Sequence, residues 1–304
     1  MDIGVVSTAA RFAQFVGAVM LFGAPLLMLT GFGTAEGRRA LRLAWPRFAF
    51  PFAALLVIAG AATSLSAQTA SMTGDPSQAL SPDALWTVLG GTQFGLGLAA
   101  RLVLTSLALA LSAWRPGAVT NAALTLLGGG VLASFAWTGH GAMDEGMAGF
   151  LHLGADLVHL WAAGAWLGAL AVFSACLSAR RLRGDAEASQ AFYDALKRFS
   201  GMGSICVALL LATGLINSAF LVGFDHVGEM PRSPYGQALI AKLVLFAAMI
   251  GLAALNRFVL TPRLARGEGS FGALRWSIGL ESLAAVMVLG LVAWLGTLAP
   301  LNMS

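Results

Sequence analysis

Apolar residues run almost without interruption through eight stretches of the chain, near residues 9–32, 48–70, 95–114, 118–139, 150–178, 200–222, 237–258 and 276–298, and charged residues collect between them. About 20 largely apolar residues in an α-helix cross the roughly 30 Å of hydrocarbon in a bilayer, so each stretch predicts a membrane-spanning helix. Apolar positions at every second residue, the mark of an outer-membrane barrel strand, are absent. The pattern predicts an all-α fold, a polytopic membrane helical bundle of about eight transmembrane helices. Composition agrees: 58% hydrophobic and 11% charged residues leave too little polar surface to cover a water-soluble globule of 304 residues.

No segment between the stretches is long enough to fold alone, so residues 1–304 read as a single transmembrane domain with no evident internal repeat. The region 179–199 and the start of the next stretch include "DAEASQAFYDALKRFS", which predicts a short amphipathic helix on the membrane surface. No basic segment precedes the first apolar run and no small-residue cleavage site follows it, so the first span is expected to be retained.

Charge adds orientation. Arg38, Arg39, Arg42 and Arg47 follow the first span, Arg115 the third, Arg180, Arg181, Arg183, Lys197 and Arg198 the fifth, and Arg257, Arg263, Arg266 and Arg275 the seventh. Basic loops stay in the cytoplasm, which puts both termini on the periplasmic side. That opposite face holds Asp2, Asp75, Asp83, Asp144, Glu145, Asp225 and Glu229 against Arg232, and an acidic face suits cations. The sequence pI of about 9.7 then reflects a basic face held against anionic membrane lipid and gives no reason to invoke nucleic acid.

Inside the fifth stretch, "FLHLGADLVHLWAAGAWLG", positions i, i+4 and i+7 of a helix share a face, so His152, Asp156 and His159 form a polar stripe about 10 Å long that Trp166 continues. Ionisable groups in spans are costly and mark pathways by default. The preceding "WTGHGAMDEGM" adds His140, Met143 and Met147 beside Asp144 and Glu145, while "FDHVGEM" adds His226 and Met230 with Glu229, and "SMTGD" adds Met72. Thioether favours Cu(I) and imidazole serves Cu(II) and zinc, so the company points to copper. A hydrogen-bonded tie between helices, a solvated loop histidine and a methionine filling a core gap are the plain alternatives.

Glu281 and Asn217 are further intramembrane polar positions that either line a cation path or bond a neighbouring helix. Arg11, Arg101 and Lys242 lie in the outer parts of their spans, placed to snorkel or to neutralise acidic partners. Cys176 and Cys206 fall toward the cytoplasmic side, where they are either packing residues or a soft exit site for Cu(I).

Several separated segments carry a resemblance: "SMTGD", "TQFGLGLAARL", "GHGA", "HLGADLVHLWAAGAWLGAL", "SPYGQALIAKLVLFAAMIGLAALNRF" and "LESLAAVMVLGLVAWLGTLAP". In this order they resemble the copper resistance protein D (CopD) family of bacterial inner-membrane proteins. The resemblance implies a role in copper homeostasis, moving copper from periplasm toward cytoplasm beside a small periplasmic copper-binding CopC-like partner. It places His140, His152, Asp156 and His159 in the family's histidine-bearing segments. No GxxxxGK[ST] loop is present, so movement would be driven by gradients or by a partner's affinity, and no enzyme activity is expected. Two other classes stay open. An intramembrane zinc metallohydrolase would need a further ligand beside His152, Asp156 and His159, and a haem-binding electron carrier would need axial histidines on facing helices.

Overall fold

The computed structural model describes residues 3–114, 116–138, 146–223, 225–266 and 271–303. Among these, eight helices are long and apolar enough to cross a bilayer, and no strand occurs. They are α1 (Ile3–Gly31), α3 (Ala49–Thr73), α5 (Gln93–Ser112), α6 (Ala118–Ala136), α7 (Gly146–Ser178), α9 (Ala186–Leu221), α10 (Pro234–Leu255) and α12 (Phe271–Leu295). Shorter helices α2 (Ala35–Ala44), α4 (Pro82–Gly91), α8 (Arg180–Arg183) and α11 (Thr261–Ala265) join them, and a π-helical turn at Asn256–Leu260 links α10 to α11. The chain therefore has a termini end and an arginine-rich end.

One expectation is corrected. The amphipathic "DAEASQAFYDALKRFS" is no separate surface helix, because α9 runs 36 residues without a break. Asp185 starts it, its carboxylate accepting the Ala188 N–H, and no proline interrupts the passage from the amphipathic turns into the apolar ones. The first turns project past the bilayer and bury Ala188, Ala191, Phe192 and Ala195. There they meet α2, whose Arg39 pairs with Asp185 at 2.6 Å and Glu187 at 3.3 Å. Arg39 is half exposed, so these pairs set register more than stability.

Helix α1 is the hub, packing on α3, α6, α7, α9 and α12. It approaches α7 closely, with Gly23 against the backbone of Gly164 and Gly168. Small residues let helix backbones meet, and in a bilayer, where burial against lipid gains little, that contact area holds helices together.

A second correction concerns repetition. Residues 92–104, "TQFGLGLAARLVL", and 233–245, "SPYGQALIAKLVL", open α5 and α10 in the same way. Thr92 and Ser233 cap the helices by accepting the N–H of Gly95 and Gly236. Each of those glycines presses on a carbonyl of the short helix before it, and Arg101 and Lys242 follow at the same distance along each helix. Helices α3 and α9 both end next to a left-handed glycine, Gly74 (φ 69°) and Gly223 (φ 73°). Gln14 of α1 donates to Ser64 of α3, as His159 of α7 pairs with Thr213 of α9. Four spans are thus followed by four with corresponding features. The halves differ in one respect: α3 packs on α5, whereas α9 and α10 make no comparable contact.

Candidate functional site

The polar stripe of α7 meets α9, on which α7 packs. Because the helices run antiparallel, Thr213, Asn217 and Phe220, again spaced i, i+4 and i+7, meet His159, Asp156 and His152 in turn. The His152 ring is buried and lies flat on Phe220, with centroids 4.5 Å apart and planes 8° from parallel. Asn217 Nδ2 donates to Asp156 Oδ1 at 3.4 Å.

At His159 the hydrogen bonds orient the ring. Nδ1 lies 2.9 Å from the Thr213 hydroxyl, and that hydroxyl spends its own proton on the Leu209 carbonyl at 2.6 Å. With the hydroxyl proton on Leu209, Nδ1 donates to Thr213 and Nε2 keeps its lone pair. An acceptor on one ring nitrogen orients the other for a metal. Gly214 adds no side chain beside the ring, where a Cβ would sit 3.8 Å from His159 Cε1.

Lys242 of α10 is near enough to interact electrostatically with both Asp156 and His159, and it forms no ion pair within 4 Å among the described residues. Asp156, His159 and Lys242 are each only half-buried, in keeping with the missing α9–α10 packing. Trp166 continues the stripe as expected: its indole N–H donates to Glu281 Oε1 of α12 at 2.9 Å. Asn256 Nδ2 holds the other carboxylate oxygen at 3.0 Å.

The remaining sequence candidates divide. His140 and Met143, with Asp144 and Glu145, lie outside the described residues. Met147 stands 84% exposed at the start of α7. His226 and Met230 flank and occupy the 3-10 turn Val227–Arg232 at the termini end, where His226 Nδ1 is buried without a hydrogen-bond partner. Asn302 lies beside them and donates to the Phe220 carbonyl, so this corner adjoins the His152 end of the stripe. Met72 is exposed on α3, in the other half of the chain. At the same end Asp75 is held below the ordinary carboxylate range by the hydroxyl and then the N–H of Ser77, both of which it accepts.

Among the described residues no three His, Cys, Asp or Glu side chains gather around one point. What they form is a succession of positions with one or two donors each. Such a series suits passage, since conduction needs sites weak enough to release the ion.

Arg101 departs from expectation. It neither snorkels nor meets an acid; it is 3% exposed and its guanidinium donates to Gln14 Oε1, the Ser134 hydroxyl and carbonyl, and the Thr138 hydroxyl. It also lies 3.6 Å over the Phe135 ring, which stacks on Phe15. Cys176 and Cys206 are free thiols within the apolar core. Maleimide is expected to leave both unlabelled in the folded protein and to label both after denaturation; rapid labelling of the native state would revive an exit role.

Sequence reasoning missed Thr213, Phe220 and Asn256. Only the helical spacing of the first two with Asn217 pointed to them.

The family model described as copper resistance protein D-like, N-terminal domain, matches residues 2–150, and that for copper resistance protein D matches residues 193–295. Copper resistance protein D of Pseudomonas syringae pv. tomato is 39% identical over 97% of this chain and 96% of its own length. Inner membrane protein YebZ of Escherichia coli (strain K12) is 28% identical over 96% of this chain and 97% of its own. Copper transport protein CutJ of Bacillus subtilis (strain 168) is 32% identical over 52% of this chain and 28% of its own. No solved structure matches. Eight apolar spans and relatives named for copper resistance and for the inner membrane make this a multi-pass inner-membrane protein, and the chain belongs to the copper resistance protein D family.

Proposed function

We propose that the protein carries copper across the inner membrane from periplasm to cytoplasm, as one transmembrane domain with both termini periplasmic. His226, Met230, Met147 and the His140–Met143 loop collect the ion at the termini end. His152, Asp156 and His159 pass it inward along α7. The observation that carries the reading is the His159–Thr213 pair: Thr213 orients the half-buried ring through Nδ1 and leaves Nε2 to serve as a metal donor on the same face as Asp156. A CopC-like periplasmic copper protein is the expected supplier, docking at the termini end, where Asp75 stays ionised and favours cations.

A zinc hydrolase would require three protein ligands on one ion, a grouping the described residues do not assemble. Copper movement is therefore the better reading of the same side chains.

The test is copper content and affinity of the purified full-length protein, under reducing and oxidising conditions, followed by copper uptake into vesicles. His159→Ala is expected to lose about tenfold or more in copper affinity, the scale of removing one ligand or its orienting partner. Thr213→Val should lose part of that by freeing the ring. Equal copper binding by wild type and His159→Ala would overturn the assignment, and bound haem or zinc in place of copper would move the protein to another class.

A further inference from the structure

Glu281 lies beyond the copper stripe. It is 2% exposed, and the two partners of its carboxylate, Trp166 Nε1 and Asn256 Nδ2, are neutral N–H donors, one on each oxygen. An ionised carboxylate inside a bilayer held only by neutral groups is costly, and such residues mark proton relays.

Two neighbouring atoms are left over. Asn256 Oδ1 and Ser277 Oγ are both buried without a hydrogen-bond partner, and buried polar atoms of that kind call for an explanation. Asn256 opens the π-helical turn Asn256–Leu260, an irregularity frequent at functional sites. Ser277 sits one turn before Glu281 on the same face of α12.

We propose that Glu281 and Asn256 form a proton-loading site, in which the carboxyl takes a proton from water at the arginine end and the Asn256 amide rotates to accept it. In the ionised state the amide N–H holds the carboxylate and Oδ1 is unsatisfied. When a proton bonds to Glu281 Oε2, a half-turn of the amide brings Oδ1 round to accept the new O–H, and Nδ2 becomes the unsatisfied atom. Each state leaves one amide atom over, so bond count favours neither and the pair can load and unload. Reversal returns the proton to water.

A groove at the arginine end is lined by Ser174, Leu177, Ser178, Arg275, Trp276 and Gly279. Ser174 there bonds Ser282, the neighbour of Glu281, at 2.9 Å. The charged or titratable groups on the surrounding elements are Arg11 on α1, His152, Asp156, His159 and Cys176 on α7, Tyr235 and Lys242 on α10, Arg257 in the π-helical turn and Arg275 on α12. None of them bonds to the carboxyl, so its protonation follows its own surroundings. Resting on the copper reading, the site exchanges protons against the metal that leaves the stripe two turns above Trp166.

The experiment has two arms on the full-length protein in bilayers. Infrared difference spectra between mildly alkaline and mildly acidic buffer, without copper, should show a protonated-carboxyl C=O band with a concurrent change in a side-chain amide band. Glu281→Gln should lose both. Asn256→Leu should keep the carboxyl band and lose the amide change. Identical spectra for wild type and Glu281→Gln would overturn the proton site. In vesicles with a lumenal pH dye, wild-type copper uptake should move protons the other way, and Glu281→Gln should lose that proton movement. Copper uptake by wild type without proton movement would overturn the coupling while the copper reading stands. Absence of copper uptake alongside an intact infrared titration would overturn the copper reading and leave the proton site in place.

Discussion

Gly23→Val is expected to abolish accumulation of the folded protein. A Cβ at Gly23 would fall inside the Gly164 carbonyl and within 2.9 Å of the Gly168 Cα, and these are backbone atoms of a long helix with no rotamer to change. Overpacking a core with movable side chains costs roughly 1–3 kcal/mol, and a clash with backbone at the α1–α7 contact must force the helices apart. Detergent-extracted yield should drop at least tenfold and the remaining protein should melt well below wild type. Gly90→Ala in α4, where a Cβ meets nothing within 4 Å, is the matched control and should melt within a degree or two of wild type. A fully folded Gly23→Val protein would mean that α1 and α7 do not meet as described.

Lys242→Met is expected to tighten copper at the stripe. The ammonium faces Asp156 and His159 without bonding to either carboxylate oxygen at ion-pair distance, so an arriving cation meets its field directly. A unit charge several ångströms away in an effective dielectric of about 20 is worth roughly 1–3 kcal/mol, which is about tenfold or more in affinity. Asp156→Asn should weaken binding by a similar factor. Competition titrations with Cu(I) under reducing conditions measure both. Vesicle uptake by Lys242→Met should slow, because a tighter site releases its ion less readily. Unchanged affinity in both variants would remove Asp156 and Lys242 from the copper path.

The spans were legible in the sequence because continuous apolar runs have one outcome in a bilayer. The stripe on α7 was legible for a related reason: three ionisable groups at helical spacing stand out against leucine and alanine. Its complement on α9 did not stand out, since threonine and phenylalanine are ordinary in spans and only Asn217 drew notice. The tautomer of His159 depends on where the Thr213 proton goes, which no spacing encodes. Asn256 sits at the end of an apolar run, where polar residues are common, and the π-helical turn that carries it has no sequence period of its own. The repeat was hidden twice over. Linkers of different length shift the spacing between corresponding positions, and the substitutions change character, with glutamine at position 14 where the second half has His159.

The buried Arg101 bears on stoichiometry. With Arg11 close enough to interact electrostatically, and no carboxylate bonded to either among the described residues, the first half holds two positive charges at the level where the second half sets Asp156 against Lys242. If the proposed copper path is right, a cation would be repelled from the first half and would meet a carboxylate only in the second. The duplication would then give one lane per chain, with four helices conducting and four serving as the insulated frame against which they are mounted.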